Sequence, residues 1–180
     1  AELASMSMEL ISMEHWDVFF NNKEEWKRAR KEQLQGVLET LPWVAMVDEF
    51  QHWLYENPTH LHSERHAQWQ LIAKRYGTGM IDWSSYEEYQ KTAWQRQLHI
   101  YEVPFYYIEY GMAQLGAIAV WRNYKQNSEQ ALDHFDSALK LGYTKSIGEI
   151  YAKADIKFDF SPSYVKELAD FVKLELDALK

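Results

Sequence analysis

Cysteine is absent from these 180 residues, which excludes disulfides, thiolate nucleophiles and Cys-ligated zinc together. Any metal bound here must be held by His, Asp or Glu. Glycine (7) and proline (4) are scarce, too few to punctuate a sandwich or barrel of many short strands. No apolar run reaches the ~18–20 residues of a membrane span. No basic segment followed by an apolar core marks a signal peptide. A soluble, cytoplasmic protein with no membrane partner is expected. A basic excess is missing too: 19 Lys and Arg stand against 27 Asp and Glu, a net charge of −8. Such a chain matches a phosphate backbone poorly, so no nucleic-acid partner is expected. What is abundant is apolar and aromatic, at 47% hydrophobic and 16% aromatic. That is enough to build a core and excludes a disordered tail.

Apolar spacing predicts an all-α chain that forms a single helical region over 1–180. The chain opens without an initiator Met or a helix-start signal, as if inside a helix, and reads as a piece of a longer protein. The first helix is expected over residues 2 to about 20, with Leu3, Met6, Leu10, Met13, Val18 and Phe19 on one stripe. Asn21 and Asn22 offer a cap for a second helix that runs through Leu34, Val37 and Leu41 until Pro42 interrupts it. A helix rich in apolar residues follows from Trp43 to Leu54. Another covers about 63–76 and ends at Gly77, a residue suited to a left-handed C-terminal position. Further helices are predicted over about 86–98, from Pro104 through Trp121, from Ser128 to Gly142, over about 145–153, and from Ser161-Pro162 to the end. Ile156 to Phe160 alternates like a strand, but five residues do not make a sheet.

Three segments carry residues with chemical potential. His60, His62 and His66 lie in the run His60-Leu61-His62-Ser63-Glu64-Arg65-His66. Its His-x-Glu-x-His order is neither of the zincin arrangements, and the run is read as a polar helix start. Glu2 and Glu9, seven residues apart, project from one face of the opening helix. Spacing alone leaves that pair open to either a solvated or a functional role. The stretch Leu98 to Gly111 gathers His99, Tyr101, Tyr106, Tyr107 and Tyr110 with Glu102 and Glu109 around a helix start. A Tyr hydroxyl donates without carrying charge, which suits a developing oxyanion. The same residues also suit the edge of a core. Gly111, Ala113, Gly116, Ala117 and Ala119 leave the following helix slim, open to close approach by another helix or a ligand.

Taken together, Glu2-Leu3-Ala4-Ser5-Met6-Ser7-Met8-Glu9 resembles the Glu-x-Ala-Ser-x-x-x-Glu helix of oligoendopeptidase F and its thimet-oligopeptidase relatives. His99 with Phe105-Tyr106-Tyr107-Ile108-Glu109-Tyr110 is similar to the family's later His and Tyr segment, and Met46 to His52 looks like another of its helices. The likeness extends through most of the chain. It implies an all-α C-terminal portion of a zincin-type catalytic domain, in a zinc metalloendopeptidase that hydrolyses short peptides. By the same likeness, Glu2 is the third zinc ligand and Glu9 a carboxylate either of the cleft wall or behind the zinc ligands. His99 and Tyr106 or Tyr110 contact substrate and stabilise the tetrahedral intermediate, with Tyr107 as a further candidate. The family's His-Glu-x-x-His occurs nowhere in the chain. The resemblance places it upstream of Ala1, in a missing N-terminal part of the same protein. Alone, the chain is therefore expected neither to hold the catalytic zinc nor to cleave peptides. Two other readings of the same residues are a noncatalytic helical peptide-binding domain and a tetratricopeptide-like scaffold. For the scaffold, Ala131 to Gly142 resembles one repeat helix, but no second copy is present.

Overall fold

The computed structural model describes all 180 residues and contains nine α-helices and no strand. The all-α expectation is borne out. The helices are α1 (Glu2–Ser12), α2 (Lys23–Glu56), α3 (His62–Tyr76), α4 (Glu87–Thr92), α5 (His99–Glu102), α6 (Ile108–Gln126), α7 (Ser128–Leu139), α8 (Ile147–Lys153) and α9 (Pro162–Asp177). No helix is long and apolar enough to cross a membrane.

Local capping signals set several of the starts. The Asn22 side chain accepts from the Glu24 amide before α2. Asn127 accepts from the Gln130 amide and caps α7. Ser146 and Glu149 cap each other's exposed amides at α8. Ser161 caps α9 with Pro162 in its first turn, where a missing N–H costs nothing.

Four expected boundaries are corrected. α1 ends at Ser12 and continues only as a 3-10 turn over Met13–Val18. Val18 and Phe19, expected on its buried stripe, are exposed. α2 runs as one helix of 34 residues with Pro42 inside it. An interior proline removes a hydrogen bond and crowds the carbonyl four residues back, costing about 3 kcal/mol. Apolar burial on both sides offsets that cost. Leu34 and Val37 before the proline, and Val44, Val47 and Phe50 after it, are all buried, each worth roughly 1.5–3 kcal/mol.

Gly77 follows α3 with an extended backbone (φ −76°, ψ 155°) rather than a left-handed one. Glycine is needed there because a Cβ would stand 2.7 Å from the Ala73 carbonyl oxygen. The segment from Pro104 does not join α6, because Phe105 sits at φ +61°. That left-handed conformation cannot propagate a right-handed helix, so α6 begins only at Ile108.

The chain divides into two compact units, one of Ala1–Leu38 with Met112–Lys180 and one of Glu39–Gly111. The first is built on the slim helix α6, whose residues Ala113 to Trp121 are almost all inside. Gly116 is the point of closest approach: a Cβ there would meet Leu3 Cδ1 at 2.7 Å and the Tyr151 hydroxyl at 3.0 Å. This contact seats the start of α1 against α6. Leu10, Ile11 and Met13 from the N-terminal segment and Leu168 and Val172 from α9 complete that core. Tyr151 donates to the Met112 carbonyl at 3.1 Å, and burial pushes its hydroxyl up to about 12.

This yields an alkaline prediction. The unfolded hydroxyl ionises near 10 and the folded one near 12. The stabilisation from Tyr151 is therefore complete below pH ~10 and is lost as the pH rises to ~12. Denaturant titrations across that range should fall less steeply for Tyr151→Phe than for the wild type. Equal slopes would show that this hydroxyl does not govern the alkaline loss.

The second unit is held by an aromatic core of Val47, Phe50, Trp69, Ile72, Trp94 and Ile100. Phe50 meets Trp69 edge to face at 5.2 Å and Trp94 at 5.4 Å, and Trp43 meets Trp69 at 5.7 Å. Offset and edge contacts of this kind add about 0.5–1.5 kcal/mol each beyond the area buried.

Candidate active site

Within the second unit, the turn Val103–Tyr107 folds back so that α5 and the start of α6 bring one histidine and three tyrosines together. His99, at the N-terminus of α5, is half-buried. The Tyr107 and Tyr110 rings meet His99 edge-on at 5.0 and 5.4 Å, and Tyr106 lies nearly parallel to it at 6.2 Å. His99 Nε2 lies 3.1 Å from the Tyr110 hydroxyl, and Nδ1 lies 2.7 Å from Gln97 Nε2. The Trp43 indole N–H, from α2, is shared between Gln97 Oε1 at 3.2 Å and the Tyr107 hydroxyl at 3.1 Å. Burial raises the Tyr107 hydroxyl above the usual tyrosine range, and the bond from Trp43 opposes the rise in part. Tyr107 is therefore a neutral phenol at physiological pH.

The corner that presents these rings is strained. Phe105 is a bulky residue in left-handed backbone, an uncommon state that costs about 1–3 kcal/mol. It is pinned by ring contacts of 4.9 Å to both His52 and Tyr55 on α2. One turn back along α2, Asp48 lies 3.6 Å from His52. Burial pushes the Asp48 carboxyl above the usual range, and His52 opposes the shift. On the same helix Glu49 accepts from Tyr76 at 2.8 Å and pairs with Arg75. The Met46–His52 segment therefore supports the corner through His52, while its Val47 and Phe50 anchor the core.

Glu2 and Glu9 belong to the first unit. Both lie within α1, two turns apart on one stripe. Glu2 is partly buried and Glu9 exposed, with Gln33 Nε2 3.4 Å from Glu9 Oε2. Of the histidines of the 60–66 run, His60 precedes α3 and His66 faces the Trp94 ring at 6.3 Å. His60 bonds the Asn57 carbonyl and accepts from Arg65 at 2.7 Å, and Glu64 accepts from the Leu61 amide at 2.7 Å. The polar-helix-start reading of that run is borne out.

Sequence reasoning missed Gln97 and Trp43. Gln97 lies two residues before His99, but a lone Gln carries no signal. Trp43 is 54 positions from Gln97, and nothing local connects them.

The model of peptidase family M3 matches residues 1–170. The chain belongs to peptidase family M3. This is a family of metallopeptidases, and the likeness read from the opening helix and the His99–Tyr110 segment is borne out at that level. Among solved structures, PZ peptidase A with an inhibitor superposes with a TM-score of 0.88 at 31% identity, over 98% of this chain and 31% of its own. An oligoendopeptidase F superposes with a TM-score of 0.84 at 31% identity, over 97% of this chain and 31% of its own. An oligoendopeptidase F from Bacillus anthracis str. Ames gives 0.77 at 28% identity, over 98% of this chain and 28% of its own. The chain thus spans less than a third of each of these proteins. No curated protein matches it.

Catalytic zinc needs three protein ligands and one open position. No group of three His, Asp or Glu side chains able to hold a metal ion is present in the chain. These residues do not by themselves fit the ion.

Proposed function

We propose that this chain is the C-terminal part of the catalytic domain of a zinc metalloendopeptidase that hydrolyses short peptides. The observation that carries the reading is the cluster in which Tyr110, Tyr106 and Tyr107 surround a hydrogen-bonded His99, in a chain that belongs to an M3 metallopeptidase family.

In this reading Glu2 is the third ligand of a zinc whose other two ligands lie in an N-terminal part of the same protein carrying His-Glu-x-x-His. Glu9 is a carboxylate of the cleft wall. His99 and Tyr110 or Tyr106 contact the peptide, and a Tyr hydroxyl donates to the oxygen on which negative charge develops. A neutral O–H directed at that oxygen binds it more tightly as charge builds, which lowers the barrier rather than merely tightening substrate binding. Tyr107 shares the wall and holds its neighbours through Trp43.

The 180 residues alone should bind zinc far below one equivalent and show no chelator-sensitive cleavage of short peptides. Metal analysis after equilibration with zinc, together with a quenched-peptide assay, checks this. Stoichiometric zinc with chelator-sensitive cleavage by the isolated chain would overturn the assignment of Glu2 as one ligand of a set completed elsewhere. The noncatalytic peptide-binding reading requires instead that the protein containing this chain bind short peptides without cleaving them, with zinc present.

A further inference from the structure

We propose that Gln97 and Trp43 are positioning residues that hold the neutral His99 ring with its proton on Nε2, leaving the Tyr110 hydroxyl hydrogen free to donate to a substrate oxygen. The proposal rests on the reading of Tyr110 as a substrate-contacting group and adds the device that sets the direction of its hydrogen bond.

The direction follows from what each group can do. An indole N–H only donates, so the amide atom 3.2 Å from Trp43 Nε1 is the Gln97 oxygen. The other end of the same amide is then the NH2 group, which also only donates, and it faces His99 Nδ1 at 2.7 Å. Nδ1 therefore presents its lone pair. A neutral imidazole carries a single N–H, so the proton sits on Nε2 and is donated to the Tyr110 oxygen at 3.1 Å. A hydroxyl that accepts from one neighbour still has its own hydrogen to give. The bond from His99 also draws electron density from the phenol oxygen and strengthens the hydroxyl as a donor.

Trp43 is the fixed end of this chain. Its ring packs against Trp69 at 5.7 Å, and the Arg96 guanidinium lies 4.5 Å over it. If the Trp43 N–H were lost, the Gln97 amide could turn over, its oxygen would face Nδ1–H, and Tyr110 would donate into His99 instead of outward. The titratable groups facing the His99 ring are the three phenols of Tyr106, Tyr107 and Tyr110, with Arg96 beyond Trp43.

The test reads the tautomer directly. Long-range 1H–15N correlation spectra of 15N-histidine-labelled full-length protein, with His99→Gln for assignment, are recorded in mildly alkaline buffer. The expected pattern for His99 is pyrrole-type Nε2 and pyridine-type Nδ1. In Gln97→Glu the carboxylate can only accept, so the proton should move to Nδ1 and the two signals should exchange character. Trp43→Phe keeps an aromatic ring but removes the N–H, and should give a mixture of the two tautomers.

A wild-type ring protonated on Nδ1 overturns the proposal, as does a Gln97→Glu spectrum unchanged from wild type. If that variant does not fold, the wild-type and Trp43→Phe spectra still decide. A merely structural role for Gln97 would alter stability without exchanging the two nitrogen signals. Should the tautomer be as expected while Tyr110→Phe leaves peptide cleavage unchanged, the substrate-contacting role fails and the relay stands.

Discussion

Under the proposed function, replacing Tyr110 by Phe in the protein that contains this chain is expected to lower kcat by about 10²–10³ with little change in KM, the loss typical of removing one oxyanion donor. The substitution deletes one oxygen and keeps the ring that packs against His99, Tyr106 and Tyr107. Tyr110 is the phenol whose oxygen bonds His99 Nε2, so it is the one whose hydrogen is directed by that contact. Tyr106 lies nearly parallel to His99 and edge-on to Tyr110 at 5.7 Å. Its replacement by Phe tests the second candidate. Tyr107 is bonded to Trp43, and Tyr107→Phe should act mainly through that contact. Steady-state kinetics on a short peptide distinguish these cases. Unchanged kcat in both Tyr106→Phe and Tyr110→Phe would remove the oxyanion role from this wall.

The largest expected effect on stability lies in the first unit, at Glu14. One oxygen of this carboxylate, Oε1, accepts from Arg30 Nη2 at 3.0 Å and from Trp121 Nε1 at 3.0 Å. The Lys125 ammonium stands 3.7 Å away and is itself held by Glu175 at 2.5 Å. Arg30 is 7% exposed and Trp121 0%, so neither could turn to water if Glu14 were lost. Glu14→Ala would leave a buried guanidinium without its counter-charge and a buried indole N–H without an acceptor. The expected loss is about 3–5 kcal/mol, a fall in Tm of roughly 10 °C for a chain of this size. Glu14→Gln keeps an acceptor for one donor and should lose less. Calorimetric or denaturant unfolding checks both, and a loss below about 1 kcal/mol for Glu14→Ala would show that water replaces the carboxylate.

The two sites differ in how they bear on function. The Glu14 network ties the 3-10 turn after α1 to α2 and α6. With the Leu3–Gly116 contact at the other end, it holds the helix that carries Glu2. The strain at Phe105 does the corresponding work in the second unit, since a helix running uninterrupted from Pro104 would point Tyr106 and Tyr107 elsewhere. In each unit the residue with proposed chemistry lies near the start of a helix, and its aim is set by neighbouring side chains that the proposal gives no chemistry.

Helical periodicity, the helix starts at Asn22 and Ser161, the slim face of α6 and the order of the two family motifs were all legible in the sequence, because each acts over one or two turns of chain. The all-α class and membership of an M3 metallopeptidase family follow from them. Tertiary structure decided the rest. Pro42 reads locally as a break, yet buried side chains on both sides carry α2 through it. Phe105 reads locally as helix, yet its contacts with His52 and Tyr55 hold it in left-handed backbone. The path Trp43–Gln97–His99–Tyr110 and the acceptor role of Glu14 join residues 54 and 107 positions apart. No local pattern encodes such pairs, because a hydrogen bond is chosen by which donor and acceptor are buried together once the chain has packed.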